Sequence, residues 1–144
     1  MVYTEMTKKA MKLCFAAHKE QLDKSGIPYV FHPIHLAEQM QDEETTVVAL
    51  LHDVVEDTEL TLQDLAEMGF SKAVIEAVGL MTHAPGVAYM DYVAEIAKNP
   101  IASAVKLADL RHNSDLTRLD HVDAKAIERV EKYKKAMALL ESSR

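Results

Sequence analysis

The chain has 144 residues, 49% of them hydrophobic and 27% charged, which is the balance of a soluble globular domain with its own core. Its net charge of −7 argues against broad binding to nucleic acid or to an anionic membrane, because both favour a basic surface. Cys14 is the only cysteine, so no internal disulfide forms, and its apolar context predicts a buried, inert thiol. With no signal-peptide pattern and no apolar run of membrane-spanning length, we expect a single domain over residues 1–144 in the cytoplasm.

The hydrophobic pattern is helical almost throughout, with glycine and proline, four of each, at the expected joints. Helix caps are predicted at Thr61 with Asp64, at Ser71 and at Asp123. The expected helices cover about residues 4–22, 33–41 after an extended connector at 29–32, a third from 45 or 46 through 57, then 62–69, 71–81, 89–98, 101–113 and 123–141. The sequence therefore predicts an all-α bundle of about seven to eight helices.

Four ionisable side chains end an apolar run in the segment His52-Asp53-Val54-Val55-Glu56-Asp57. On one continuous helix, His52 and Glu56 lie one turn apart, and so do Asp53 and Asp57. Three carboxylates and an imidazole beside apolar residues are costly to desolvate, and a bound divalent cation is the usual compensation. The segment therefore predicts a metal-supported reaction centre, with ligands in one turn and acid–base residues in the next.

Further metal ligands are expected from other parts of the chain. His32 is an imidazole just before a predicted helix, and Asp109 is an acid that interrupts an apolar helix. We therefore predict a metal site formed by His32, His52, Asp53 and Asp109. Two imidazoles and two carboxylates suit Mn²⁺ or Fe²⁺, with Zn²⁺ also possible.

The acid–base candidates are Glu56 and Asp57, one turn beyond two of the predicted ligands. One of them would orient or deprotonate a metal-activated water, and the other would protonate a leaving group. The sequence has no activated serine or cysteine elbow and no glycine-rich phosphate loop. Hydrolysis by metal-activated water is the simplest interpretation, and phosphate esters are the commonest substrates for it.

Substrate contacts are predicted at Lys24 and Ser25, which form a cationic, hydroxyl-bearing turn, and at Asn113, one helical turn beyond Asp109. Lys106 lies one turn before Asp109. It would either meet a phosphate group or belong to a solvated helix face.

Three segments of the chain resemble the HD superfamily of metal-dependent phosphohydrolases. The closer resemblance is to the hydrolase domain of the RelA/SpoT alarmone enzymes and to the stand-alone small alarmone hydrolases. The segments are residues 17–33 (AHKEQLDKSGIPYVFHP), 49–58 (ALLHDVVEDT) and 105–113 (VKLADLRHN). Together they span most of the chain, and the second is highly specific.

The resemblance implies a single HD phosphohydrolase domain that removes the 3′-pyrophosphate from (p)ppGpp. It implies Mn²⁺ as the cofactor and a small nucleotide as the partner, with no nucleic acid and no membrane; the oligomeric state stays open. The implied roles are metal ligation by His32, His52, Asp53 and Asp109, acid–base catalysis by Glu56 and Asp57, and nucleotide binding by Lys24, Ser25 and Asn113.

Two positions depart from the family pattern. Asp23 stands where the family usually has an arginine that packs on the guanine base, and Arg111 is shifted by one position within the third segment. Two alternatives therefore accompany the ppGpp hydrolase interpretation. One is an HD phosphohydrolase of another nucleotide or phosphorylated metabolite, and the other is a non-catalytic nucleotide-binding protein.

Overall fold

Helices make up nearly all of the regular structure in the computed structural model, which describes residues 1–143. Within these residues, eight helices have six residues or more, and one is a single turn of four residues. Their bounds are α1 Glu5–His18, α2 Phe31–Glu38, α3 Glu43–Leu51, α4 Val54–Asp57, α5 Leu62–Glu67, α6 Lys72–Met81, α7 Tyr89–Ala97, α8 Pro100–Asn113 and α9 Ala124–Ser142. A 3₁₀ turn, Leu116–Arg118, follows α8. The all-α prediction is confirmed, since residues 1–143 contain only one isolated antiparallel bridge, between Leu22 and Pro28.

The predicted caps fix three helix starts. Thr61 and Asp64 form a reciprocal capping box at α5, each side chain accepting a hydrogen bond from the backbone N–H of the other. Ser71 and Asp123 each accept a hydrogen bond from the backbone N–H three residues later, at the starts of α6 and α9. These bonds satisfy N–H groups that have no partner within the helix, so the short polar side chains determine where the helices begin.

Two predicted boundaries near the amino terminus were wrong. The first helix ends at His18 rather than near residue 22, because residues 22–28 form a tight loop in which the backbone N–H of Asp23 donates to the carbonyl oxygen of Ile27 at 2.8 Å. Gly26 has a φ of 77° in this loop, a conformation that glycine adopts without strain. The expected connector at 29–32 is also shorter, because α2 already starts at Phe31 and holds Pro33 in its first turn, where its missing N–H is not needed.

The predicted continuous helix through the central motif is interrupted. α3 ends at Leu51, Asp53 has a φ of −105° and a ψ of −1°, and the chain resumes helical structure only in α4. The backbone N–H of Asp57 still donates to the carbonyl oxygen of Asp53 at 2.9 Å. His52 therefore stands at the end of one helix, while Glu56 and Asp57 belong to a separate turn.

The centre of the bundle is α3, which packs against α1, α2, α6 and α8. Seven consecutive residues of this helix, 45–51, are buried. A helix that is apolar on nearly all sides is stable only when other elements surround it, which matches this position. His52 directly follows this central helix and lies next to His32 of α2 and Asp109 of α8. No helix within residues 1–143 has the length and the apolar composition for crossing a membrane.

Candidate metal centre and adjoining cavity

Three buried side chains from three helices meet at the centre of the bundle. His32 of α2, His52 after α3 and Asp109 of α8 offer ligand atoms that all lie within 4.8 Å of one another. Nε2 of His32 is 2.8 Å from Oδ1 of Asp109, and Nε2 of His52 is 3.6 Å from the same oxygen. Tertiary folding thus brings together three of the four predicted metal ligands, which are far apart in the sequence.

Asp53, the fourth predicted ligand, lies beside this cluster. Its Oδ2 is 3.1 Å from Nε2 of His52 and accepts a hydrogen bond from the hydroxyl of Tyr29. Charge on His52 lowers the pKa of Asp53 to about 2 in spite of its burial, which acts in the opposite direction. The carboxylate is therefore ionised at neutral pH and is available as an oxygen ligand.

The orientation of His52 leaves one ring nitrogen for a cation. Its Nδ1 lies 2.7 Å from the carbonyl oxygen of Ala49, which can only accept, so Nδ1 carries the ring proton. Nε2 is buried and makes no hydrogen bond of acceptable geometry, although two carboxylates are near it. Burial would lower the pKa of His52, but Asp53 and Asp109 raise it well above the usual range. Nε2 therefore holds a proton between two carboxylates, and a divalent cation that displaced this proton would satisfy all three groups.

Lys106 supports the opposite side of Asp109. Its Nζ lies 2.9 Å from Oδ2 of Asp109, its side chain is only 13% exposed, and it sits over the ring of Tyr92. Burial would raise the pKa of Asp109, but the charge of Lys106, the hydrogen bond of His32 and the nearby imidazole of His52 hold it well below the usual range. Lys106 is therefore a mostly buried partner of a candidate ligand rather than a residue of a solvated helix face, and its contact with a phosphate group stays a prediction.

Glu56 and Asp57 lie on α4, outside the buried cluster. Both are exposed, and Oε1 of Glu56 accepts a hydrogen bond from the backbone N–H of His83 at 2.8 Å. Partial burial, followed by the nearby charge of Asp53, raises the pKa of Asp57. The structure thus places both carboxylates near the candidate ligand Asp53 in the chain and open to solvent, where a substrate could reach them. Their catalytic role stays a prediction.

The three predicted substrate residues, Lys24, Ser25 and Asn113, line one cavity of about 360 Å³. Arg129 and Tyr133 of α9 line the same cavity. A volume of this size suits a small molecule.

Asn113 connects this cavity to the cluster. Its Nδ2 donates to Oδ1 of Asp109 at 3.1 Å, and its Oδ1 accepts from Nη1 of Arg118 at 3.1 Å. Ser25 is tied to the same region, because its hydroxyl donates to the carbonyl oxygen of Arg118 at 2.9 Å.

Tyr29 and Arg118 were not predicted from the sequence, and the position of His112, one helical turn beyond Asp109, leaves its role open there. Nδ1 of His112 lies 2.7 Å from Nδ1 of His32, and the two rings stack with a centroid distance of 5.0 Å. Tyr29 had a usable signal, since it lies three residues before a candidate ligand in a tight loop. Arg118 had none, because it belongs to the irregular segment after α8, whose path depends on tertiary packing.

The comparisons with known proteins agree with this geometry. An HD-domain family model matches residues 10–139. A guanosine-3′,5′-bis(diphosphate) 3′-pyrophosphohydrolase of Aquifex aeolicus is 33% identical over 92% of this chain and 20% of the relative. The bifunctional (p)ppGpp synthase/hydrolase SpoT of Escherichia coli K12 is 35% identical over 67% of this chain and 16% of the relative. A probable GTP pyrophosphokinase of Mycobacterium leprae is 34% identical over 75% of this chain and 15% of the relative.

A solved structure has the same fold. It is that of a metazoan ortholog of SpoT, described as hydrolysing ppGpp, with a TM-score of 0.78 and 22% identity over 100% of this chain and 90% of that one. The chain spans a fifth or less of the length of the three sequence relatives. The family model nevertheless covers most of the chain, including all four candidate ligands, and the chain belongs to the HD-domain family.

Proposed function

We propose that this protein is a metal-dependent phosphohydrolase that removes the 3′-pyrophosphate from guanosine-3′,5′-bis(diphosphate), ppGpp. The observation that carries the proposal is the buried cluster of His32, His52 and Asp109, which Asn113 links to a cavity large enough for a small molecule. The names of the Aquifex aeolicus and Escherichia coli relatives support this substrate.

His32, His52, Asp53 and Asp109 would hold the cation. The donor set of two imidazoles and two carboxylates supports Mn²⁺, and Fe²⁺ or Zn²⁺ would also fit it. When bound, a divalent cation supplies Lewis-acid chemistry, because it neutralises charge on phosphate oxygens and lowers the pKa of water. Tyr29 would orient Asp53, and Lys106 would keep Asp109 ionised and in place.

Glu56 and Asp57 would move the protons. In the proposed reaction, a water oxygen bonds to the phosphorus attached to the 3′-oxygen, and the bond between that phosphorus and the 3′-oxygen breaks. Glu56 takes a proton from the water and Asp57 gives one to the 3′-oxygen, so that GDP and pyrophosphate leave. The raised pKa of Asp57 favours it as the proton donor.

Lys24, Ser25 and Asn113 would bind the nucleotide. Lys24 offers a positive charge to phosphate, while Ser25 and Asn113 offer hydrogen bonds beside the cavity. One observation favours a second candidate, an HD phosphohydrolase of another nucleotide: the acidic Asp23 lines the same cavity and would repel a phosphate placed against it. A single HD phosphohydrolase domain over residues 1–144 and a cytoplasmic location stay predictions.

A substrate and metal panel tests the proposal. The purified chain would be stripped with a chelator, reloaded with Mn²⁺, Fe²⁺, Zn²⁺ or Mg²⁺, and offered ppGpp, its adenosine analogue, GTP and simple 3′- and 5′-nucleotides. We expect metal-dependent release of pyrophosphate and GDP from ppGpp, measured by chromatography. Turnover of another compound but not of ppGpp would favour the second candidate. No turnover and no bound metal would indicate a non-catalytic binding protein.

A further inference from the structure

Asp23 and Arg118 face each other across the cavity wall. Nη2 of Arg118 lies 3.9 Å from Oδ2 of Asp23, and the two side chains are 27% and 23% exposed. Both residues line the 360 Å³ cavity and also a neighbouring cavity of about 390 Å³, which His32 and His112 line as well. The pair therefore stands at the boundary of the two cavities.

In each residue of the pair, one side-chain atom makes hydrogen bonds within the protein and a second atom is available to a ligand. Oδ1 of Asp23 accepts hydrogen bonds from the backbone N–H groups of Ser25 and Ile27, at 2.8 and 3.0 Å. Nη1 of Arg118 donates to the carbonyl oxygen of His112 at 2.9 Å and to Oδ1 of Asn113. Within residues 1–143, the side-chain hydrogen bonds of the pair use only Oδ1 of Asp23 and Nη1 of Arg118. The distance of 3.9 Å between Oδ2 of Asp23 and Nη2 of Arg118 is too long for a direct hydrogen bond.

The pair thus presents a fixed acceptor and a fixed donor side by side, with no net charge. A phosphate group placed there would be attracted by Arg118 but repelled by Asp23, and a cation would be attracted by Asp23 but repelled by Arg118. A neutral group with a donor next to an acceptor satisfies both residues. Because both side chains are already ordered, binding such a group costs little further side-chain entropy.

The edge of a guanine base has this pattern. Its O6 can accept from Nη2 of Arg118, while the adjacent N1–H and the 2-amino group can donate to Oδ2 of Asp23. Adenine offers the carboxylate only its 6-amino group, and hypoxanthine lacks the 2-amino group of guanine. Resting on the proposed nucleotide substrate, we propose that Asp23 and Arg118 form a base-recognition pair that selects guanine over adenine.

Asp23→Asn tests the pair most directly. The variant keeps a carbonyl oxygen for the N–H groups of Ser25 and Ile27, so the loop is retained, but it replaces the free acceptor with a donor. The binding of GDP, IDP and ADP to the full chain with Mn²⁺ would be measured by calorimetry. We expect the wild-type protein to bind GDP most tightly and ADP least tightly. Asp23→Asn should weaken the binding of GDP by about 10-fold or more, while the affinity for ADP should change by less than about 3-fold.

Arg118→Gln and Arg118→Lys give the second arm, and Arg111→Gln is the matched control, because Arg111 is an exposed arginine paired with Glu141. Arg118→Gln should reduce the preference for GDP over ADP, and Arg111→Gln should leave it unchanged. Equal weakening of all three nucleotides in Asp23→Asn would mean that Asp23 only supports the loop, which would overturn the proposal, as would a wild-type protein without a guanine preference. If Arg118→Gln does not fold, the comparison of GDP binding with ADP binding in Asp23→Asn and Arg118→Lys tests the pair instead.

These measurements are independent of the hydrolase test, because the diphosphates need not be hydrolysed to be bound. If the protein prefers GDP but does not hydrolyse ppGpp, the recognition pair is supported and the proposed substrate is contradicted. If the protein hydrolyses ppGpp and its adenosine analogue equally and has no preference for GDP over ADP, the hydrolase activity is supported and the recognition pair is contradicted.

Discussion

Lys106 and Asp109 form a buried ion pair within one turn of α8, with 2.9 Å between Nζ and Oδ2. Lys98 and Glu95 form a pair with the same sequence separation and a similar distance, 2.8 Å, but both of those side chains are more than half exposed. The two ion pairs therefore differ in how far their side chains are buried. Water screens the exposed pair, whereas little water reaches the inner pair and its charges interact more strongly.

The first prediction follows from this contrast. Lys106→Met should lower the free energy of unfolding of the metal-free protein by about 3 kcal/mol or more, because the buried carboxylate of Asp109 loses the lysine charge that stabilises it most. Lys98→Met should lower it by less than about 1 kcal/mol. Urea unfolding with a chelator present measures both values. Similar losses in the two variants would show that burial does not strengthen the inner pair.

The second prediction concerns metal binding. Asp53→Asn and Asp109→Asn should each lose most of the bound divalent cation, because an amide oxygen is a poorer ligand than a carboxylate. Asp91→Asn, a change at an exposed position in the first turn of α7, is the matched control. Elemental analysis of the purified variants measures occupancy. Full occupancy in both Asp53→Asn and Asp109→Asn would place the metal elsewhere.

The third prediction separates chemistry from metal binding. Glu56→Gln and Asp57→Asn should retain the cation but lower kcat by about 10²–10⁴-fold, the range typical for loss of general acid–base catalysis. Glu59→Gln, an exposed change just beyond α4, should have little effect. Steady-state kinetics and elemental analysis on the same preparations check this. Wild-type turnover in both α4 variants would remove these residues from the mechanism.

The fourth prediction concerns Cys14, which is 1% exposed. Burial, reinforced by the charge of Asp53, raises the pKa of the Cys14 thiol to about 12 from a reference value of 9.0. The folded chain therefore keeps a proton that the unfolded chain loses, and this contribution to stability falls as the pH rises from about 9 towards 12.

At pH 8 a thiol reagent should modify the native chain very slowly and the chain in denaturant rapidly. The fully unfolded sample serves as the control for reagent quality. Equal modification rates in the two states would show that the thiol is accessible and would contradict the inert role expected for it.

Much of the fold could be predicted because the signals are local. Thr61, Ser71 and Asp123 cap helices as expected, since the capping bond joins residues only three positions apart. The wrong boundaries have a different cause. The loop at residues 22–28 is held by the hydrogen bond from Ser25 to Arg118, and Asp53, where the helix is interrupted, accepts a hydrogen bond from Tyr29. Propensity describes neither of these contacts between distant segments.

The sequence by itself determined the helical class and the chemical types at the candidate site, because periodicity and side-chain chemistry are properties of neighbouring residues. It also identified His32, His52 and Asp109 as possible partners, since polar groups in apolar helices need compensation. Only the tertiary structure decided that Lys106 is buried against Asp109 and that Arg118 meets Asp23. A pattern gives the direction of a side chain on its own helix, but the placement of one helix or loop against another depends on the packing of the whole chain.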